Sequence, residues 1–167
     1  MTYLLYSAPL GASRQLALFQ QFHPVIYYTE SGFNMTVTNT DFNGQFGQEV
    51  LRNHVIPDIL GRHEADILYW AGKSLARKFP LATMDDAPDF FRQAHFGELK
   101  IERSSKGETA FILAAPGLEQ RCFKLEAGFL AQQKQNIDGF MTEAFEESLG
   151  KKKGVRILLK TDLRDKV

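Results

Sequence analysis

Cysteine is almost missing from this chain: Cys122 stands alone among 167 residues. No disulfide can form within the molecule, so a secreted disulfide scaffold is excluded and a reducing, cytoplasmic setting is the expectation. Charge of one sign is not in excess either, because 20 Lys and Arg are matched by 20 Asp and Glu. That balance gives no general pull toward nucleic acid or an anionic membrane. No apolar run approaches the roughly 18 residues that span a bilayer. Walker and dinucleotide glycine patterns and the serine nucleophile elbow are absent. Gly72-Lys73 sits inside a helical pattern and lacks the preceding glycine of a phosphate loop.

Residues 1–34 are themselves poor in charge, with Arg14 and Glu30 as the only charged side chains. A secretory signal needs a basic start and an unbroken apolar core. Here nothing basic precedes Arg14, and Ser, Gln and His interrupt the apolar stretches. Met35 then opens the polar run Met-Thr-Val-Thr-Asn-Thr-Asp41. The expectation is an irregular extension over 1–43, with residues 1–34 produced by a misplaced start and translation beginning at Met35. The alternative is a real extension. A single domain over 44–167 follows, long enough to bury a core.

In that domain the apolar spacing predicts helices first. Phe46, Val50, Val55, Ile59 and Leu60 mark one helix, bent at Pro57 and stopped by Gly61. Ile67, Leu68, Ala71, Leu75 and Phe79 mark a second, from Glu64 to Phe79. Asp85 or Asp86 caps a short third helix that carries Phe90 and Phe91. Glu98–Arg103 alternates as a half-buried strand, Ser104–Gly107 is turn chemistry, and Thr109–Ala114 pairs back as a hairpin. Pro116-Gly117 breaks it. A long helix is expected over Phe123–Leu149, with Phe123, Ala127, Leu130, Ile137, Met141 and Phe145 inward and Glu143, Glu146 and Glu147 as a solvated face. Lys151–Lys153 would complement its C-terminal dipole, and Val155–Lys160 is a last strand. The fold class is α+β: a helical layer on a small antiparallel sheet, in the order ααα-ββ-α-β.

Two glycines carry the strongest packing signal. Gly72 lies beside Trp70 in Ile67-Leu-Tyr-Trp-Ala-Gly72, and Gly128 lies between bulky residues in Phe123-Lys-Leu-Glu-Ala-Gly-Phe-Leu-Ala131. A glycine inside a helix costs about 1 kcal/mol against alanine, so each implies a close approach of two helices.

Three phrases in order, Ile56-Pro-Asp-Ile-Leu-Gly61, Ile67–Leu81 and Phe123–Gln133, resemble the YslB family of uncharacterised Gram-positive bacterial proteins. That family is related in fold to 4-vinyl reductase domains and to the small subunits of the TRAPP tethering complex. The resemblance implies helices on an antiparallel sheet, dimerisation through helices and, in some relatives, an apolar channel for an acyl chain or small ligand. It implies no activity. The acylated cysteine of TRAPP relatives has no counterpart in Phe79–Asp86.

Candidate binding residues, for a dimer seam or a pocket, are Tyr69, Trp70, Gly72, Gly128, Phe129, Gln132, Gln133 and Asn136. They place rings and amides off the main inward stripe, where plain solvent does not call for them. Core packing is the competing reading for Trp70 and Phe129. Cys122 is a candidate reactive thiol, since a helix start and Arg121 both favour thiolate; a small buried apolar residue is the plainer reading. His54, Asp58, His63, Glu64 and Asp66 gather around Gly61, but their spacing is not that of a zinc site, so no metal and no cofactor is expected. The leading expectation is a non-enzymatic, homodimeric binding or adaptor protein, with a lipid-like or small apolar ligand or an unknown protein partner. The alternatives are an enzyme using Cys122 or the His54/His63 region, and a subunit of a larger complex.

Overall fold

The computed structural model describes residues 27–29, 32–34, 45–114, 121–150 and 154–167. The chain divides into two units, Met1–Phe42 and Asn43–Val167. In the first, β1 (Tyr27–Thr29) and β2 (Gly32–Asn34) form a minimal antiparallel hairpin with Tyr28 opposite Phe33. Strands of three residues are too short to show a period, which is why the sequence reads there as irregular. The expected start at Met35, the break at Pro116-Gly117 and the cap by Lys151–Lys153 lie outside the described residues.

The second unit begins with a helical stretch in three parts: α1 (Gln45–Val50), one π-helical turn (Leu51–Val55) and α2 (Ile56–Leu60). Pro57 stands in the first turn of α2, and the Ile56 amide bonds back to the Leu51 carbonyl just before it. The missing proline N–H thus appears as a change of helical register rather than a simple bend. A 3-10 turn at Gly61–His63 leads into α3 (Glu64–Lys78). Glu64 and Asp66 open α3, while Arg77 and Lys78 close it, matching charge to the helix dipole at both ends. Its buried side is Leu68, Gly72, Lys73 and Ala76, whereas Ile67 and Phe79 are exposed. Asp86 stands at the N-cap of the next helix, without a side-chain cap bond, and the 3-10 turn ahead of it is capped by Thr83. Its backbone N–H and hydroxyl donate to Asp86 at 2.9 and 3.0 Å, closing a capping box ahead of α4 (Ala87–Gln93).

Four antiparallel strands follow: β3 (Glu98–Ser104), β4 (Glu108–Ala114), β5 (Phe140–Ser148) and β6 (Val155–Lys166), in the sheet order β3-β4-β6-β5. Between β4 and β5 runs α5 (Lys124–Asp138). Leu99, Phe111, Leu113, Val155, Ile157 and Leu159 of the sheet form one core with Ala76, Phe91, Phe129 and Leu130 of the helices.

The long helix expected over Phe123–Leu149 is therefore corrected to a helix and a strand. Gly139 adopts φ +77, a left-handed position that ends α5, and its amide bonds to the Gln135 carbonyl. Beyond it Thr142 and Ala144 are buried, while Met141, Glu143 and Phe145 face outward. The outward residues meet partners on β6: Glu143 lies opposite Lys160, Phe145 opposite Leu158 and Glu147 opposite Arg156. Arg156 holds Glu147 at 2.9 Å and Glu102 of β3 at 2.8 Å. Of the acids that suggest a solvated helix face, Glu143 and Glu147 stand opposite basic residues across the strands, and Glu146 pairs with Lys124 of α5 at 2.9 Å. Apolar residues at 137, 141 and 145 keep a four-residue spacing, which a helix and an alternating strand share.

Candidate functional site

The backbones of α3 and α5 touch at the two glycines. A Cβ on Gly72 would stand 2.8 Å from the Phe129 amide nitrogen and 2.9 Å from the Leu125 carbonyl carbon. One on Gly128 would stand 2.9 Å from the Tyr69 carbonyl carbon. Real Cβ atoms do not come so close to a backbone, so the small residues are what let the two helices meet. The close approach lies within one chain.

Around this contact the candidate residues separate into distinct groups. Phe129 is wholly buried, stacked on Phe90 at 4.4 Å and edge-on to Phe91 at 6.0 Å. It is a core residue in the single chain, and Phe129→Glu would report folding rather than assembly. Gln133, also wholly buried, donates to the Phe79 carbonyl at 2.7 Å and the Ala76 carbonyl at 3.3 Å, and accepts from the Leu81 amide at 3.1 Å. It satisfies carbonyls that the end of α3 leaves without helical partners. Gln132 accepts from Arg77 at 3.0 Å and donates to Asn136 at 2.7 Å, a polar rail beside the same seam. Tyr69 accepts the Ala144 amide at 3.3 Å, which ties α3 to the edge strand β5. Burial pushes its phenol above the ordinary tyrosine range, against the Ala144 bond, which lowers it.

Trp70 stands apart, 65% exposed. Beneath it Lys73 is buried, with Nζ 5.6 Å from the Trp70 ring and 5.7 Å from the Tyr69 ring. Burial pulls the Lys73 ammonium below its ordinary value, while Glu143 acts in the other direction. Cation–π contact on two rings gives a desolvated ammonium part of what water would supply. Ile67, one turn before Trp70, is exposed as well.

Cys122 is half-buried next to α5. Burial raises its thiol above the ordinary value, and the Lys124 backbone N–H only partly offsets this. Burial thus works against the helix start that favours a thiolate at Cys122. Labelling with a small thiol reagent at pH 7.5 is expected to be at least about tenfold slower in the native protein than in urea, following the lower thiolate fraction and reduced access. Equal rates would restore the reactive reading. Near Gly61, His63 Nε2 accepts from Arg62 at 3.1 Å and His54 is exposed. Among the described residues no three His, Cys, Asp or Glu side chains come together as a metal site would require.

The densest polar cluster is one that sequence reading does not assemble. Glu126, in the first turn of α5, is wholly buried and binds two arginines. Arg52 of the π turn grips both its oxygens at 3.1 Å and also donates to the Cys122 carbonyl at 3.0 Å. Arg121 reaches Glu126 Oε1 at 3.1 Å and donates to the Phe96 carbonyl. Burial pulls the Arg121 guanidinium down, Glu126 counters this, and Arg52 adds to it. A glutamate inside an otherwise apolar stretch, Leu125-Glu-Ala127, was the one available signal, since a buried charge must find a counter-charge.

With the fold and these clusters described, relatives can be placed. The model of the family "Protein of unknown function (DUF2507)" matches residues 45–160. The chain belongs to that DUF2507 family. A relative within reach of it is the "Uncharacterized protein YslB" of Bacillus subtilis (strain 168), 37% identical over 129 residues, which cover 73% of this chain and 87% of the relative. The resemblance read from the three sequence phrases is thus confirmed. Among solved structures, a vinyl-4-reductase family protein from Methanocaldococcus jannaschii aligns over 75% of this chain and 85% of its own, at 20% identity and a TM-score of 0.45. Among the described residues of this DUF2507 chain, no helix is long and apolar enough to cross a membrane.

Proposed function

We propose that this protein is a non-catalytic binding or adaptor module that works as a homodimer, joined through the outer side of its first helices and α3. The observation that carries the reading is the exposure of Trp70 on a rigid helix, with Ile67 one turn away. Tryptophan is the side chain most enriched among interface anchors. A second exposed apolar row, Leu51, Val55 and Ile59, repeats every four residues on the preceding helical stretch. A self-complementary face of this kind suits two-fold pairing, in which each copy offers the same patch. The interior of the α3–α5 seam supports a binding role over a reaction: Gln133 serves the end of α3, Gln132 joins Arg77 and Asn136, and Phe129 serves the core. An apolar or lipid-like ligand, if one is carried, belongs to the same non-catalytic reading.

Sedimentation equilibrium and native mass spectrometry of the full chain test this. The expected result is a dimer at micromolar concentration, weakened at least about 30-fold by Trp70→Glu, the loss of one anchor worth about 2 kcal/mol. Both positions are exposed, so Ile67→Glu/Trp70→Glu should be a folded monomer. A monomeric parent protein, or a double variant that stays dimeric, removes the proposed seam.

A further inference from the structure

The outward stripe of α3 has a direction. Asp66, Ile67, Trp70, Arg77 and Lys78 are exposed along it, and Ser74 is partly so. From the N-terminus the stripe runs from acid through apolar to base. Among the described residues neither Asp66 nor Lys78 forms an ion pair. Gly72 locates the middle of this stripe. It faces α5, with the Leu125 and Phe129 backbones against it, so the point of α3 directly behind it is the centre of the outward side. At about 3.6 residues per turn, residues equally far before and after Gly72 are related by a half-turn about that point. Asp66 is so related to Lys78, Ile67 to Arg77 and Trp70 to Ser74. The stripe is therefore complementary to itself, acid onto base and large ring onto small hydroxyl, when a copy is laid on it in the opposite direction.

We propose that this face takes a second copy of the chain whose α3 runs antiparallel, with the two-fold axis passing behind Gly72. The inference rests on the homodimer reading above and gives that dimer its orientation and register. Each contact is made twice, as two-fold symmetry requires. Trp70 covers the partner's Ser74, near the axis. Asp66 meets the partner's Lys78 at the rim, and the Arg77 stem lies along the partner's Ile67. The two helix dipoles oppose one another. A parallel pair would set Asp66 against Asp66 and Lys78 against Lys78, like charge on like charge. Sliding the antiparallel pair until Trp70 meets the partner's Ile67 adds apolar contact but leaves Asp66 and Lys78 without counter-charges.

A charge-reversal mixture tests the arrangement. Asp66→Lys and Lys78→Glu each place like charges face to face twice in their own homodimers, yet pair correctly with one another. The two variants are purified as full chains, one of them grown on heavy nitrogen, mixed in equal amounts and weighed by native mass spectrometry. Random exchange would leave half of the dimers mixed. The expected result is that mixed dimers dominate, with a dissociation constant at least about tenfold below that of either variant alone, because facing like charges disfavour the wrong pairing. Half or fewer mixed dimers, beside a dimeric parent protein, overturn the antiparallel register and leave the homodimer reading standing. A monomeric parent protein overturns both. Should either reversal fail to fold, the parent dimer in rising salt decides: weakening supports paired charges at the seam, and an unchanged dissociation constant overturns them.

Discussion

Gly128→Ala is expected to cost about 3 kcal/mol or more in urea unfolding, the upper end of what overpacking does. The added methyl would meet the Tyr69 backbone, 2.9 Å from its carbonyl carbon and 3.2 Å from its Cα. A flexible side chain could swing away, but a helix backbone can only be displaced as a whole. Displacing α3 would disturb what it carries: Ala76 in the core, the Tyr69 bond to β5 and the Gln133 contacts at its end. Gly72→Ala should behave alike, because its new methyl meets Leu125 and Phe129 backbone atoms. Against a total stability of about 5–15 kcal/mol, either change removes a large share. Gly47→Ala provides the contrast. Among the described residues nothing lies within 4 Å of a Cβ at that position, which is inside α1. There alanine should stabilise by up to about 1 kcal/mol. If Gly128→Ala and Gly47→Ala behave the same, the two helices do not touch as described.

That contact was legible in the sequence because the helix penalty of glycine makes it conspicuous. The hairpin of β3 and β4 was legible for a similar local reason, alternation joined by Ser-Ser-Lys-Gly. The split between α5 and β5 was not. Ile137, Met141 and Phe145 continue a helical period past Gly139, and only the left-handed backbone at Gly139 and the pairing with β6 resolve the ambiguity. The same limit applies to the candidate binding residues. Aromatics and amides off an apolar stripe look like a surface when the stripe is drawn from one helix alone. Phe129 is core because α4 brings Phe90 and Phe91 over it, and Gln133 is satisfied because α3 ends beside it. Trp70 stays outside because none of the described residues covers it. Long-range partnership is also what hid the arginine cluster, where Arg52 and Glu126 are 74 positions apart.

The second large effect belongs to that cluster. Glu126→Gln keeps the shape and removes the only described counter-charge for two buried guanidiniums. Breaking a buried ion pair from one side costs about 3–5 kcal/mol, because the remaining charge is left without compensation. Urea unfolding in chloride buffer should show a loss of that size. Removing the whole cluster should be far milder. Arg52→Met/Arg121→Met/Glu126→Met replaces three desolvated charges with apolar side chains of similar length, an exchange that is often neutral or even stabilising. The ordering single worse than triple is therefore the signature of a desolvated ion cluster, and it distinguishes this site from the Arg156–Glu102 pair, whose screening by solvent makes its loss barely detectable. A Glu126→Gln protein as stable as its parent would mean that the carboxylate does not hold Arg52 and Arg121.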